Sequence, residues 1–385
     1  MLPEILSPFT LPPLDQVPDD EQDKPRFEGH LQDETRPLGL PRIIFGAGAF
    51  SNQYNKDTHL ASAAPLRTVR LALRYGVRAF DTSPYYGPSE IILGDCLKAL
   101  SGEFPRSSYQ LMTKCGRYGP STFDYKPATI RESVERSLKR LHTVYLDTVF
   151  LHDVEFVCTQ VAPRVMGDNS TALDTEAPEF GLADGQEAKI HGDGDQKILD
   201  AFAELRKMKE EGLIKNVGIT GYPLPTLLRL ALCILHNPPY EPVDVILSYS
   251  HLNLQNSTFL AFAPHLTTRA KVKQLLAASP LSMGLLAPSP PQWHPAPPPL
   301  KASTAAAGKL WDKGLPDLAL GYAIRFAEGV PLVAGFSNPE EVHHCLRISK
   351  EVSEGDNKEK RVEAEQLALA TFRDAGYLGW SWSSP

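Results

Sequence analysis

The sequence of 385 residues contains few cysteines and no long apolar run. Its five cysteines are an odd number and none forms a CxxC pair. This excludes a disulfide scaffold and a structural zinc site, and it predicts free thiols in a reducing compartment. No segment approaches the roughly 18 apolar residues of a membrane span, and residues 1–17 lack the basic start and apolar stretch of a secretory signal. These absences predict a cytoplasmic protein outside the membrane.

Positive charge is also scarce. The chain has 39 Lys and Arg against 46 Asp and Glu, a formal net charge of −7, whereas nucleic-acid binders usually present a basic face. A charged fraction of 22% beside 42% hydrophobic residues is typical of a globular protein and not of a disordered one. The composition therefore predicts a globular protein that binds no nucleic acid, and nothing in it requires an obligate protein partner.

Short apolar runs alternate with helical patterns along most of the chain. The predicted strands are 42–45, 77–81, 110–114, 146–152, 216–220, 244–249, 273–278 and 331–334; the helices after them are 66–75, 89–100, 129–141, 197–211, 225–236, 258–266, 316–328 and 339–349. Eight such units predict an α/β fold of the (β/α)8, or TIM, barrel type over 38–385, because closure leaves no exposed sheet edge. A dinucleotide-binding open sheet is rejected, since Gly46-Ala47-Gly48 lacks the third glycine of its fingerprint.

Three stretches depart from this alternation. Residues 1–37 are rich in proline and acidic residues and predict a flexible N-terminal arm. Residues 159–196 carry eight acidic residues against two basic ones and predict a disordered insertion. Residues 287–299 contain seven prolines and predict an extended loop. Since barrel active sites form on the loops that follow the strands, Trp293 in this loop is a candidate substrate contact, with a docked surface tryptophan as the alternative.

Four polar residues fall at or just beyond the carboxyl ends of consecutive predicted strands: Asp81, Tyr86, Lys114 and His152. Singly, each has an ordinary explanation, such as a turn residue or a core histidine. Together, at matching depth on neighbouring strands, they predict one catalytic site, because these ends converge on one mouth of a barrel.

The chemistry of these four residues is coherent. A tyrosine hydroxyl has a pKa near 10, and an adjacent ammonium such as that of Lys114 lowers it by favouring the phenolate. A carboxylate paired with the lysine keeps it charged, and a histidine shares the proton or orients a substrate oxygen. The set contains neither a nucleophile nor a metal-binding cluster, so no metal is expected. With a hydride acceptor, it predicts a carbonyl or alcohol oxidoreductase.

The segment Asp81-Thr82-Ser83-Pro84-Tyr85-Tyr86-Gly87-Pro88-Ser89-Glu90 resembles the signature DTAxxYGxSE of the aldo-keto reductase family. Further family motifs follow in order: Thr113-Lys114, Ser137 to Leu141, Leu151-His152, Gly218-Ile219-Thr220, Ser279-Pro280-Leu281, Gly284-Leu285-Leu286 and Gly335-Phe336-Ser337. The resemblance implies a (β/α)8 barrel in which Tyr86 is the acid/base. Lys114 and Asp81 would tune it, and His152 would orient the substrate and bind it.

Several departures indicate a branch of this family. Thr220-Gly221 replaces the usual Ser-Asn, Ala278 replaces an aromatic residue, and Ile246 replaces a glutamine. The segments Asp244 to Tyr249, Ser279 to Leu286 and Pro291-Gln292-Trp293-His294-Pro295 together resemble the branch of L-galactose dehydrogenase and D-arabinose 1-dehydrogenase. This implies oxidation of the anomeric hydroxyl of an aldose to the aldonolactone. The long insertion and the proline-rich loop resemble fungal members, which favours D-arabinose as the sugar and D-erythroascorbate biosynthesis as the pathway.

The resemblance also implies a nicotinamide cofactor, with contacts from Thr220, Ser279, Leu281, Gly284, Ser337, Asn338 and Glu341. Relatives that use NADP carry Arg or Lys at the position of Asn338, where the charge pairs with the 2′-phosphate. Asparagine cannot supply that charge, and Glu341 would repel a phosphate. NAD is therefore the expected cofactor. NADP stays open if Arg347 or Lys350 reaches the phosphate.

Other functions remain as alternatives at this point. One is an NADPH-dependent aldehyde or ketone reductase that works in the opposite direction. Another is a non-catalytic, nucleotide-binding regulatory subunit, against which the intact set of four polar residues argues. A scaffold role for the acidic insertion is the third, although acidic loops are usually only solvated.

Overall fold

Eight short strands close into a barrel in the computed structural model, which describes residues 10–28 and 37–382. Around the barrel they follow in chain order: β1 Ile43–Gly46, β2 Ala79–Asp81, β3 Gln110–Cys115, β6 Leu146–His152, β7 Ile214–Gly221, β8 Val245–Tyr249, β9 Gln274–Ala278 and β10 Leu332–Gly335. A separate antiparallel hairpin consists of β4 Arg117–Gly119 and β5 Thr122–Phe123. The predicted (β/α)8 barrel is confirmed.

Strand register explains how two of the polar residues come to lie together. In the parallel pair β2 and β3, Asp81 lies opposite Met112. Side chains alternate between the two faces of a strand, so Lys114, two residues beyond Met112, points to the same face as Asp81. All seven residues of β6 are buried, as expected for a strand of a parallel sheet that is covered on both faces.

The helices that follow the strands are α1 Asp57–Leu60, α2 Ala64–Arg74, α3 Ser89–Ala99, α4 Pro127–Arg140, α5 Asp193–Glu210, α6 Leu224–Leu235, α7 Phe259–Thr268, α8 Pro298–Ala307, α9 Leu315–Phe326, α10 Pro339–Glu354 and α11 Lys358–Asp374. The prediction of an extended loop through 299 is wrong at its end, because α8 begins at Pro298. Proline fits the first turn of a helix, where its fixed φ is helical and no N–H is needed.

The chain forms two compact units. Of the described residues, the first contains 10–28, 37–157, 196–218 and 333–346; the second contains 158–195, 219–332 and 347–382. In the first unit, Phe45 packs against Phe50, Phe80 and Phe336 at ring distances of 5.3 to 5.5 Å. In the second, Tyr222 packs against Trp382 at 5.2 Å.

Part of the predicted flexible arm lies against α2. Asp23 is fully buried and accepts two hydrogen bonds from Arg67, at 2.8 and 2.9 Å. Arg74 pairs with Asp19 at 2.6 Å. These ion pairs hold residues 10–28 in place, a contact that a compositional argument does not detect. The rest of the predicted arm, apart from Pro37, lies outside the described residues.

The insertion at 159–196 is joined at its two ends by one buried ion pair. Arg229 of α6 donates to both carboxylate oxygens of Asp195, at 2.7 and 3.0 Å, and to the carbonyl of Thr159 at 3.1 Å. Asp195 in turn accepts the backbone N–H groups of Thr159 and His191. The structure differs here from the predicted disorder because Asp195 is the partner of a buried arginine, and because α5 begins at Asp193 instead of at 197.

All five cysteines are buried and free. Within residues 10–28 and 37–382, no helix has the length and apolar character needed to cross a membrane.

Candidate active site

Lys114 is almost completely buried, with 2% of its surface exposed, and its ammonium is held by two acceptors. Its Nζ donates to Asp81 Oδ2 at 2.6 Å and to the carbonyl of Thr82 at 3.0 Å. Burial acts against the ammonium form, but the Asp81 carboxylate and Tyr86 together outweigh it and raise the pKa of Lys114. Lys114 is therefore a fixed positive charge.

Tyr86 lies in the loop after β2, and the centre of its ring is 4.7 Å from Lys114 Nζ. The ring is half-buried. Burial raises the pKa of Tyr86 to about 12, and Lys114 lowers it only in part. Lys114 lowers this pKa as expected, but the loss of solvation outweighs one neighbouring charge, so the net shift is upward.

His152 is the last residue of β6 and is buried beside both tyrosines of the loop. Its ring meets those of Tyr85 and Tyr86 edge-on, each at 5.7 Å. Burial, with the charges of Lys114 and Arg117, lowers the pKa of His152 well below its ordinary value. The imidazole is therefore neutral near pH 7, and it can donate one hydrogen bond and accept another.

The structure thus brings all four predicted catalytic residues together within the first compact unit. A phenol beside a permanent cation and a neutral imidazole can exchange a proton with an alcohol or carbonyl oxygen. Over the described ranges 10–28 and 37–382, no cluster of three His, Cys, Asp or Glu side chains could hold a metal ion. The arrangement is suited to proton transfer.

A buried ion pair that the sequence did not reveal lies next to these residues. Arg117, in β4, donates to Asp153 Oδ2 at 2.5 Å. Its guanidinium also lies 4.0 Å from the centre of the Tyr85 ring. Asp153 Oδ2 is in turn 3.5 Å from His152 Nε2. Asp153 directly follows His152 in the chain, and this adjacency is the only sign in the sequence that Asp153 lies at the site. Arg117 lies 36 positions before Asp153, so nothing in the sequence indicates that the two form a pair.

Three of the predicted cofactor contacts surround the start of α10. The Glu341 carboxylate accepts the backbone N–H of Ser337 at 2.7 Å and the side-chain amide of Asn338 at 2.9 Å. Asn55 donates to the Ser337 hydroxyl at 2.9 Å, and His59 contacts the Ser337 carbonyl at 2.9 Å. These hydroxyl, amide and carboxylate groups at a helix N-terminus suit the ribose hydroxyls of a nucleotide.

The other predicted contacts lie in the second unit. Thr220 is buried in β7. Ser279, Leu281 and Gly284 belong to a tight turn after β9, in which Ser279 has φ 58° and Gly284 φ 90°. Such values suit glycine best, and the turn is closed by a hydrogen bond from the Gly284 N–H to the Leu281 carbonyl.

Trp293 is half-buried in the proline-rich loop, with its ring beside that of His294. His294 is buried and connects this loop to the turn after β9. Its Nε2 lies 2.9 Å from the Ser282 carbonyl, and its Nδ1 accepts the Ala296 N–H. His294 therefore has a structural role, whereas the substrate contact of Trp293 stays a prediction.

Comparison with known proteins gives consistent similarities. The model of the Aldo/keto reductase family matches residues 42–360. D-arabinose 1-dehydrogenase of Saccharomyces cerevisiae is 36% identical over 367 residues, 92% of this chain and 97% of that protein. L-galactose dehydrogenase of Arabidopsis thaliana is 36% identical over 346 residues, 87% and 94% of the two chains. An aldo-keto reductase structure from Bacillus halodurans has a TM-score of 0.57 at 20% identity, over 89% and 96% of the two chains. The predicted resemblance is confirmed.

Proposed function

We propose that this protein, which belongs to the aldo/keto reductase family, oxidises the anomeric hydroxyl of an aldose to the aldonolactone. The observation that carries this proposal is the contact of Tyr86 with the buried Lys114 ammonium beside a neutral His152. The two relatives at 36% identity are named for D-arabinose and L-galactose. Of these two sugars we propose D-arabinose as the substrate. With this substrate we also propose a role in the synthesis of D-erythroascorbate.

In the proposed reaction, Tyr86 accepts the proton of the anomeric hydroxyl. Lys114 stabilises the phenolate that must form for this transfer, and its charge matters because the Tyr86 pKa is about 12. His152 donates a hydrogen bond to the anomeric oxygen and so orients the sugar. A bound NAD would supply the acceptor for the hydride that leaves C1. The sugar then loses one proton and one hydride, which balances its conversion to the lactone.

Glu341 supports the proposed preference for NAD over NADP. Its carboxylate already accepts hydrogen bonds from Ser337 and Asn338, so a 2′-phosphate at this loop would meet a negative charge. The two cations that could have compensated are engaged elsewhere. Arg347 bonds to Asp317 and Glu351, and Lys350 to Glu354. Ser337, Asn338 and Glu341 would hold the adenosine ribose of NAD.

The remaining assignments complete the proposal. Thr220, Ser279, Leu281 and Gly284 would contact the cofactor, and Trp293 the sugar. The five free thiols support a cytoplasmic location, because thiols persist in a reducing compartment.

The test is a set of initial rates of NADH and NADPH formation. D-arabinose, L-galactose and L-fucose are each offered with NAD and with NADP at mildly alkaline pH. The proposal expects the highest kcat/KM with D-arabinose and NAD. Reduction of simple aldehydes by NADPH, with no oxidation of any sugar, would refute it and support the reductase alternative.

A further inference from the structure

Ser83 is a fully buried residue that contacts the ring of His152 on the side away from Asp153. Its hydroxyl oxygen lies 3.0 Å from His152 Nδ1 and accepts the backbone N–H of Tyr85 at 3.1 Å. The family signature has alanine at this position, so the hydroxyl is a feature of this chain's own sequence.

The single proton of the Ser83 hydroxyl decides which histidine nitrogen carries hydrogen. A serine oxygen has one hydrogen to donate and two lone pairs. If Nδ1 were protonated, the Ser83 hydroxyl would accept twice, and its own hydrogen would have no acceptor, since this hydroxyl makes no other hydrogen bond within the described residues. If Ser83 donates to Nδ1 instead, the hydroxyl hydrogen, Nδ1 and the Tyr85 N–H all have a partner. The hydrogen of His152 then lies on Nε2.

The surroundings of Nε2, on the other side of the ring, favour the same tautomer. Asp153 Oδ2 is 3.5 Å from Nε2, too far for a strong hydrogen bond, so its negative charge favours a hydrogen there only weakly and leaves Nε2 able to donate elsewhere. Arg117 pairs with the same oxygen at 2.5 Å and fixes its place. Lys114, Tyr85 and Tyr86 also lie around the ring, and within residues 10–28 and 37–382 none of them accepts a hydrogen bond from Nδ1.

We propose that Ser83 is a positioning residue that holds His152 as the tautomer with hydrogen on Nε2. This nitrogen can then donate to the oxygen of the sugar, whereas the opposite tautomer would turn a lone pair toward that oxygen. The catalytic consequence rests on the proposed function, but the tautomer itself is a property of the resting protein.

The direct test is nitrogen NMR of the histidine rings in the full-length protein without sugar or cofactor. Protein labelled with 15N-histidine is compared with Ser83→Ala, and the His152 signals are identified by their loss in His152→Asn. The wild type should show hydrogen on Nε2 and an accepting Nδ1. Ser83→Ala should show a mixture of tautomers. Hydrogen on Nδ1 in the wild type would overturn the proposal by itself, even if the variant failed to fold, as would an unchanged tautomer in Ser83→Ala.

Kinetics test the consequence for catalysis. Ser83→Ala should lower kcat/KM for the sugar by about threefold to tenfold, the usual net effect of one lost hydrogen bond, and leave the Kd for NAD unchanged. The control is Ser137→Ala, a buried serine of α4 whose hydroxyl has no hydrogen-bond partner in the part of the chain that the structure describes, and it should leave both values unchanged. A shifted tautomer without loss of rate would refute the positioning role. A wild type that oxidises no sugar would refute the proposed function instead, and the NMR result would still decide the tautomer.

Discussion

Lys114 and Asp81 form a buried ion pair with 2.6 Å between Nζ and Oδ2. The second carboxylate oxygen of Asp81 is buried and has no hydrogen-bond partner among the described residues. Removing two charges from water is costly, and a half-broken buried pair costs more than an intact one. The pair is therefore better explained by the charge that it places beside Tyr86 than by stability.

The pair of Lys114 and Asp81 leads to a prediction in which stability recovers and activity does not. Lys114→Met should lower the free energy of unfolding by about 3–5 kcal/mol, because Asp81 loses its buried partner. Adding Asp81→Asn removes the unpaired charge and should restore part of that loss, while sugar oxidation stays absent. Urea denaturation and NADH formation measure the two effects. Recovery of activity in the double variant would contradict the role of Lys114.

The start of α10 gives a prediction on cofactor choice. The double variant Asn338→Arg and Glu341→Gln removes a negative charge and adds a positive one where the 2′-phosphate is expected. The ratio of kcat/KM with NADP to that with NAD should rise about tenfold or more, since charge-assisted hydrogen bonds are among the stronger ones. Glu340→Gln is the matched control, because Glu340 is an exposed neighbour paired with Arg26. An unchanged ratio in the double variant would mean that the phosphate binds elsewhere.

The buried ion pair of Arg229 and Asp195 leads to a prediction about the insertion at 159–196. Arg229→Met leaves Asp195 buried and unpaired, so the free energy of unfolding should fall by about 3–5 kcal/mol. Hydrogen exchange at the amides of Thr159 and His191 should accelerate. Lys350→Met is the control, because Lys350 forms an exposed pair with Glu354 and its loss should cost about 1 kcal/mol or less. An equal loss in the free energy of unfolding for the two substitutions would contradict the role of this ion pair in holding the insertion.

His251 makes a prediction about acid stability. Burial lowers the pKa of His251 to about 3, whereas the unfolded chain titrates near the ordinary value of about 6.5. Below pH 6.5 the unfolded state therefore binds a proton that the folded state does not, and the free energy of unfolding falls as the pH drops toward 3. Above pH 6.5 this contribution is fully present. Denaturation of His251→Gln across this range should show a smaller fall than the wild type, and parallel curves would refute the assignment.

The barrel, and the four polar residues that it brings together, could be predicted from the sequence because both depend on local patterns. The strand 146–152 was predicted at its observed bounds, since its apolar run ends in a polar residue. The pairs Arg117–Asp153 and Arg229–Asp195 join residues 36 and 34 positions apart, and only the fold brings them together. The net pKa of Tyr86 depends on how far burial outweighs Lys114, which no sequence pattern contains.

The central claim is that Tyr86 removes the proton of the sugar, and a pair of neighbouring tyrosines tests it most directly. Sugar oxidation and NAD binding are measured for Tyr86→Phe and for Tyr85→Phe, each of which loses one hydroxyl from the same loop. Tyr86→Phe should lose about a thousandfold or more in kcat, within the range known for acid/base residues, with NAD binding intact, while Tyr85→Phe retains most activity. Sugar oxidation by Tyr86→Phe at a rate close to that of Tyr85→Phe would contradict the account.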